Sequence, residues 1–391
     1  MQTKYWRVEN TNEGLKEILD KTSKAALDEA ASLLQQGEVV AFPTETVYGL
    51  GADARSTAAV EKIFTAKGRP SDNPLIVHIS ERSQLDELVL GCNETERRLM
   101  DRLWPGPLAL VLPARPGAVS PRVTAGLATV AVRMPDHALA LQLITAAGCP
   151  IAAPSANRSG RPSPTRAEHV MTDMEGRIAG VLDGGQTGIG LESTVIQVTT
   201  DGKHIHVLRP GGVTAHALLE AAPEATVVDA STTAAEARSP ESMSGKLLNA
   251  STADAPHCVE AEEEYIPRSP GMKYTHYAPQ GRLILVHSAD QNSERIARYI
   301  QQELDRVAAL GETTGVLAFG PHAIHYHADV VVPCGSWQDP ADAARQLYAA
   351  LRRFDELGAT YILAEAFPEA GLGQAIMNRL RKAAVEQITI P

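Results

Sequence analysis

Long apolar runs are missing from this chain. No stretch approaches the roughly 20 apolar residues that a membrane-spanning helix needs. The N-terminal MQTKYWRVEN has neither an apolar core nor a cleavage-like site, so it does not read as a secretion signal. Cysteine is scarce: Cys92, Cys149, Cys258 and Cys334 lie far apart, without the C-x-x-C spacing of a zinc or redox site. These absences point to a soluble, cytoplasmic protein with reduced or buried thiols. Several chemical signatures are also absent. The sequence holds no G-x-x-x-x-G-K-[ST], no G-x-G-x-x-G, no G-x-S-x-G and no H-E-x-x-H. Gly245-Lys246 runs into Leu247 in a low-complexity stretch. His204 and His206 share a strand face without a third ligand, and His322, His325 and His327 lack a nearby carboxylate, so neither group reads as a metal site. There is no basic excess either. With 36 Lys and Arg against 47 Asp and Glu the net charge is -11, a surface that repels nucleic acid. A site for a phosphate-bearing ligand must therefore be a local cluster of cations.

What is present is an ordinary globular composition, 44% hydrophobic and 21% charged, in 391 residues, a length that suggests two or three domains. From about Ala25 to Pro210, compact β-branched runs such as GEVVAFPT, PLIVHIS, LALVLPA, TVAVRMP, PIAAPSA and STVIQV alternate with helical patterns such as TAAVEKIFTAKG and HALALQLITAAG. This alternation predicts an α/β domain over 15–213. A short helix is expected over Ala215 to Ala221. From about Asp229 the pattern fades into Ala, Ser, Thr and Glu, so 214–280 is expected to be an interdomain linker. It ends in SPGMKYTHYAP (269–279), a segment far denser in aromatics and hydrogen-bonding groups. From Gly281 the alternation returns with GRLILVHS, TGVLAFG, ADVVVPCG and TYILAEAF, which predicts a smaller Rossmann-like α/β domain over 281–391. Its helix at Asp339 has Pro340 and first-turn acids, both suited to a helix N-terminus.

The chemistry gathers on loops that follow strands, where open α/β sheets bind ligands. Lys67-Gly-Arg69-Pro-Ser71-Asp-Asn-Pro74 fixes a compact charge and a bidentate fork on one loop, a pair suited to phosphate oxygens. PTETVYGLG brings the hydroxyls of Thr44, Thr46 and Tyr48 to a strand end. PSANRSGRPSPT offers Ser155 and Asn157, LESTVI offers Ser193 and Thr194, and LRPGG carries Arg209. Arg133 is embedded in the apolar strand TVAVRMP, where an arginine is rarely buried without an anionic partner. Lys67, Arg69, Arg133 and Arg209 are expected to converge on one cavity. No nucleophile–base pair accompanies them, so the pattern suits positioning and charge neutralisation at phosphorus rather than covalent catalysis.

In these motifs, FPTETVYGLG, the KGRPSDNPL loop, PSAN and STV, the chain resembles the YrdC-like domain of the threonylcarbamoyl-AMP synthase family. SPGMKYTHYAP and the C-terminal AEAFPEAGLGQAIMNRLRKAA are similar to the long, two-domain form of that family, and the resemblance runs from about residue 15 to the end. It implies a YrdC-like open twisted sheet with a concave active-site cavity. The implied reaction joins the carbamate of L-threonine and bicarbonate to the α-phosphate of ATP, releasing pyrophosphate. The product would pass to a separate transferase complex that modifies tRNA next to the anticodon. By the same resemblance Thr44, His78, Arg133 and Ser193 would bind threonine. Lys67 and Arg69 would act in catalysis, and with Ser71, Thr129, Ser155, Ser163, Arg209 and Tyr274 they would hold ATP, Mg2+ being carried by the phosphates. A carbamate and a mixed anhydride both require that water be excluded, and Lys273, Tyr274, His276 and Tyr277 are expected to form a lid. Carbamoyl-transfer modules of hydrogenase maturation share the domain but also carry zinc fingers, which four scattered cysteines cannot supply. A non-catalytic RNA-binding role is disfavoured by the net charge.

Overall fold

The computed structural model describes residues 2–8, 20–70, 72–230, 276–288 and 293–390. Its strands are β1 (Lys4–Arg7), β2 (Val40–Phe42), β3 (Gly49–Asp53), β4 (Ile76–His78), β5 (Leu108–Pro113), β6 (Thr129–Arg133), β7 (Ile151–Ala152) and β8 (Gly180–Asp183). They continue as β9 (Thr194–Val198), β10 (His204–Arg209), β11 (Thr226–Asp229), β12 (Arg282–Ser288), β13 (Thr314–Ala318), β14 (Val330–Pro333), β15 (Tyr361–Glu365) and β16 (Glu386–Ile390). The first eleven form one mixed sheet in the order β1-β8-β2-β3-β7-β4-β6-β5-β9-β10-β11, and the last five a second sheet in the order β14-β13-β15-β12-β16. Among the described residues no helix is long and apolar enough to cross a membrane.

Three edges differ from the sequence expectation. β1 lies before residue 15 and pairs in parallel with β8, Lys4 facing Gly180. The sheet also runs past residue 213: the helix Ala215–Ala221 leads into β11, which pairs in parallel with β10. The C-terminal sheet has a fifth strand, β16, paired with β12. All three are edge strands of four or five residues, almost all at least partly exposed, so they lack the apolar signal of central strands.

Strand alternation assigns the faces of the large sheet. Val77 of β4 and Val130 and Val132 of β6 enter the main core with the helices Thr57–Lys67, Glu94–Leu103 and Ala167–Met174. The residues one step out of phase, Ile76, His78, Ala131 and Arg133, therefore share the opposite face. Small apolar clusters about Phe42 and Ala153 and about Ala109 and Val195 lie on that side. Helix ends deliver side chains to it. Ser56 caps Thr57–Lys67 by accepting from the Ala59 N–H at 3.3 Å, and Gly68 ends the helix at φ +62°, a conformation that suits a residue without Cβ. Lys67 is thus held in the last turn.

In the C-terminal domain all pairings are parallel. Ile284 and Val286 of β12 pack with Ile296, Ile300 and Leu304 of the helix Ser293–Ala308. Leu283 and Leu285, out of phase with them, pack with Leu347, Leu351, Ile376 and Leu380 of the helices Pro340–Leu357 and Leu372–Ala383. The helix at Pro340 begins as its sequence predicts, with Asp339 accepting from the Asp342 N–H at 3.0 Å.

Those last two helices bind the C-terminal domain to the large sheet. The backbone at Gly190 meets the helix Pro340–Leu357 so closely that a Cβ there would lie 2.4 Å from Arg345 Cα. Beside it the buried carboxylate of Glu192 accepts from the Arg379 Nε (2.8 Å), the Tyr348 hydroxyl (2.7 Å) and the Ser163 hydroxyl (2.6 Å). Arg352 adds an ion pair to Asp173 at 2.7 Å. Removing one member of a buried ion pair strands the other charge, at a cost of about 3–5 kcal/mol. Arg379→Met is therefore expected to lower the unfolding free energy from denaturant titration by that amount, and adding Glu192→Gln to recover part of the loss. An additive double mutant would show that the pair is not coupled.

Candidate active site

The cavity lies on the face of the large sheet that carries His78 and Arg133. These two side chains come from parallel neighbours paired in register, His78 opposite Arg133. Arg133 is buried and its partner is close by in space: the Glu45 carboxylate forms an ion pair with its Nη2. Its Nη1 donates to Thr46 Oγ1 at 3.0 Å and its Nε to the Gly106 carbonyl at 3.2 Å. Thr44 donates to the Val47 carbonyl at 2.7 Å, which leaves Thr46 to donate to Thr44 Oγ1 at 2.8 Å. The PTETV turn thus presents a fixed line of hydroxyls and one carboxylate to the guanidinium. The anion expected beside Arg133 is here a residue of the chain itself.

Lys67 reaches the cavity from below the PSAN turn. Its Nζ donates to the Ser155 carbonyl at 2.6 Å and the Asn157 carbonyl at 2.5 Å. Burial, with Arg69 nearby, lowers its ammonium well below the ordinary lysine range. Part of its role is structural, since it pins the loop that carries Ser155. Arg69 donates to the Pro74 carbonyl at 3.3 Å. Arg209 is buried at the far side, where its Nη2 donates to the Ser193 carbonyl at 2.8 Å and to Ser193 Oγ at 3.2 Å. Glu192 stands behind this pair. Burial raises its carboxyl, but Arg379 and Arg209 and the hydrogen bonds it accepts outweigh that and hold it at about 2.

His276 and Tyr277 close one side of the cavity. Tyr277 has φ +68°, an unfavourable conformation for a residue with a Cβ, and it is held there by packing. Its ring lies 5.3 Å from that of Tyr348 and 5.4 Å from the Arg379 guanidinium, both on the C-terminal domain. The next residue, Ala278, donates its N–H to the Gly160 carbonyl at 2.9 Å. The end of the SPGMKYTHYAP segment is therefore clamped between the two domains.

Of the residues singled out in the sequence, Thr44, Lys67, Arg69, His78, Arg133, Ser155, Ser193, Arg209, His276 and Tyr277 line this one cavity. Ser163 sits just behind it, its hydroxyl spent on Glu192. Thr129 begins β6 opposite Pro113 and is not part of the lining. Ser71, Lys273 and Tyr274 lie outside the described residues. Sequence reading missed the two carboxylates. Glu45 had a signal, an acid between two threonines in a turn after an apolar strand. Glu192 had none, because its cationic partner is 187 residues away. The carboxylate missing from the histidine group about His322 is likewise remote: Glu365 lies 3.1 Å from His322 Nδ1 and accepts from the Tyr326 hydroxyl at 2.5 Å. Cys149 and Cys334 are buried free thiols and Cys92 is half-buried.

Several of these groups titrate away from their ordinary values in a direction that weakens the fold in acid. Burial, with Arg133 adjacent, pushes His78 down to about 3, and burial with Arg69 pushes His276 down to about 3. Unfolded, each histidine takes up a proton near 6.5, so between that pH and about 3 the unfolded chain binds more protons. Glu192 acts in the same sense below about 4.5, because its folded carboxyl stays ionised down to about 2. The contribution of these three groups is thus complete above pH 7 and falls as the pH drops, by about 1.4 kcal/mol per pH unit for each histidine in the window. Denaturant unfolding between pH 7 and pH 5 is expected to show this slope, reduced in His78→Gln. An unchanged slope in that variant would contradict a neutral, buried His78.

The comparisons with known proteins agree with this architecture. Residues 32–211 match the family described as telomere recombination (Sua5, YciO and YrdC), and residues 225–385 match that described as threonylcarbamoyl-AMP synthase, C-terminal domain. The chain is 48% identical over 387 residues to a threonylcarbamoyl-AMP synthase of Bacillus subtilis, covering 98% of each chain. It is 44% identical to one of Pyrococcus abyssi, covering 90% of this chain and 92% of that one. The crystal structure of P. abyssi Sua5 complexed with L-threonine superimposes with a TM-score of 0.81 over the full length of both chains, at 39% identity. The chain belongs to the threonylcarbamoyl-AMP synthase family, in the form that carries both domains.

Proposed function

We propose that this chain makes threonylcarbamoyl-AMP and pyrophosphate from L-threonine, bicarbonate and ATP. The observation that carries this reading is the convergence of Lys67, Arg69, Arg133 and Arg209 on one enclosed cavity, lined also by threonine and serine hydroxyls. Arg133, with Thr44, His78 and Ser193, takes the amino acid, its guanidinium receiving the carboxylate where Glu45 now stands. Lys67, Arg69, Ser155 and Arg209 face the triphosphate; Ser71, Thr129, Ser163 and Tyr274 are assigned to ATP by the family resemblance alone, Thr129 from outside the cavity lining and Ser163 from behind it. Like charges ~4 Å apart repel by about 4 kcal/mol at an effective dielectric near 20, so an anionic carbamate meets ATP only where cations offset that repulsion.

In this reading the threonine amine and bicarbonate first form the carbamate, with loss of water. A carbamate oxygen then attacks the α-phosphorus of ATP in line, and the bond to the β-phosphate oxygen breaks with release of pyrophosphate. The chain supplies position and charge, and no covalent intermediate is required. Neutral His78 offers a hydrogen bond without adding a mobile charge. Mg2+ accompanies ATP and neutralises its phosphates. Glu45 and Glu192 are each balanced by an arginine, so in this reading the metal would be carried by the nucleotide's phosphates. His276 and Tyr277, with Lys273 and Tyr274 before them, form a lid that keeps water from the anhydride. The product is consumed by a separate transferase complex acting on tRNA that reads codons beginning with A, in the cytoplasm.

Pyrophosphate release from ATP is expected to require both L-threonine and bicarbonate. Release that ignores either substrate, or none at all, would overturn the reading. Arg133→Met is expected to raise the KM for threonine by about 10- to 150-fold, the worth of charge-assisted hydrogen bonds of about 1.5–3 kcal/mol. The KM for ATP should change far less. Equal effects on both substrates would argue that Arg133 does not hold the amino acid.

A further inference from the structure

One arginine of the C-terminal domain ends against the wall of the catalytic cavity. Arg379 is fully buried, so it cannot itself meet a ligand, and its Nε donates to Glu192 at 2.8 Å in an ion pair. Glu192 and Ser193 line the cavity side by side. Arg209 is bonded to that same segment. Its Nε donates to the Ser193 carbonyl at 3.2 Å, and its Nη2 donates to that carbonyl at 2.8 Å and to Ser193 Oγ at 3.2 Å. Its Nη1 donates to none of the described residues, which leaves that edge of the guanidinium for a ligand in the cavity that Arg209 lines. Although Arg209 is tied to the very next residue, Glu192 makes no ion pair with it. The carboxylate is taken instead by Arg379, by the Tyr348 hydroxyl at 2.7 Å and by the Ser163 hydroxyl at 2.6 Å.

That choice of partner bears on the nucleotide. Two anions compete for Arg209, the Glu192 carboxylate and the triphosphate. A guanidinium already paired with a carboxylate has its charge offset and its donors spent, and it makes a poor phosphate ligand. A buried carboxylate, for its part, must be balanced by some cation. Burial raises the Glu192 carboxyl, but Arg379 first and Arg209 second act against that and hold it at about 2, so Glu192 is fully charged at neutral pH. Lys382, one turn beyond Arg379 on the same helix, is the other cation near this carboxylate. Burial, with Arg379 and Arg209 acting in the same sense, pushes Lys382 down to about 7, which makes it the weaker counter-charge. Without Arg379, the charge of Glu192 would fall chiefly on Arg209.

We infer that Arg379 is a positioning residue for ATP: by taking the Glu192 carboxylate, it keeps the Arg209 guanidinium for the triphosphate. The inference rests on the reading of Arg209 as a phosphate ligand. The test compares full-length variants at a temperature where urea titration shows each one folded. Arg379→Met is expected to raise the KM for ATP in pyrophosphate release at least about 10-fold, the worth of a charge-assisted hydrogen bond, and the KM for threonine far less. Glu192→Gln removes the competing anion. Its KM for ATP is expected at or below that of the unsubstituted chain, even though Arg379 is left unpaired and the fold is weakened. Adding Glu192→Gln to Arg379→Met should return the KM for ATP to that of Glu192→Gln alone. A pair that only seats the domain gives a different pattern, with ATP affinity following stability in all three variants. A KM for ATP raised by Glu192→Gln as much as by Arg379→Met would therefore overturn the inference, as would a double variant still impaired. So would a KM unmoved by Arg379→Met, Lys382 then sufficing to balance Glu192. If Arg379→Met does not fold, Glu192→Gln and the double variant, in which this pair buries no charge, still decide. Arg209→Met separates this inference from the reading beneath it. A KM for ATP unmoved in Arg209→Met sinks the assignment of Arg209 to phosphate, whereas a raised one beside an inert Arg379→Met sinks only the role of Arg379.

Discussion

The buried carboxylate of Glu192 is the point on which both domains depend. It lies one residue before Ser193 in the cavity wall and beside the guanidinium of Arg209, yet two of its three hydrogen-bonding partners, Tyr348 and Arg379, belong to the C-terminal domain. A charge so enclosed is tolerable only when its oxygens are filled by donors and its field is balanced by cations. Glu192 meets both conditions only when the helices Pro340–Leu357 and Leu372–Ala383 are seated. The packing of Gly190 against the backbone at Arg345 requires the same placement. One electrostatic demand and one steric demand thus fix how the C-terminal domain sits over the catalytic sheet.

That seat also explains the position of the interdomain segment. Tyr277 occupies the space between Tyr348 and Arg379, the two residues that reach Glu192. Its left-handed backbone is sustained by that packing and by the Ala278 hydrogen bond to Gly160. The segment is therefore held against the cavity by the domain that follows it in sequence. Desolvation of the cavity follows from this covering, and with it the lowered proton affinity of Lys67, His78 and His276. The same helix Leu372–Ala383 turns Arg379 toward Glu192, so the C-terminal domain reaches the wall of the cavity directly.

Much of the candidate site was legible because its residues break local rules. Arg133 is a charge in an apolar strand, and the structure puts an acid beside it. Lys67 and Arg69 follow a helix on a loop stiffened by prolines. Ser155 and Ser193 sit at strand edges in turns. Each of these signals lies within a few residues of sequence. Thr129 and Ser163 carried no such signal and were named by resemblance alone; one lies outside the cavity lining and the other behind it. The strands β1, β11 and β16 went unread because short edge strands bury too little apolar surface to leave an alternating pattern.

By itself the sequence determined the order of the central elements, the cap that ends the helix at Lys67 and the one that begins the helix at Pro340, and the phase of each central strand. These depend on contacts within one turn or one pleat, so they are written in consecutive residues. Only the tertiary structure decided which carboxylate balances which guanidinium. Glu45 meets Arg133, and Glu192 meets Arg379 across 187 residues. The physical reason is common to both. Burial removes water as the alternative partner, so a polar side chain must take whichever group the packing of distant elements brings to it, and local sequence carries no record of that choice.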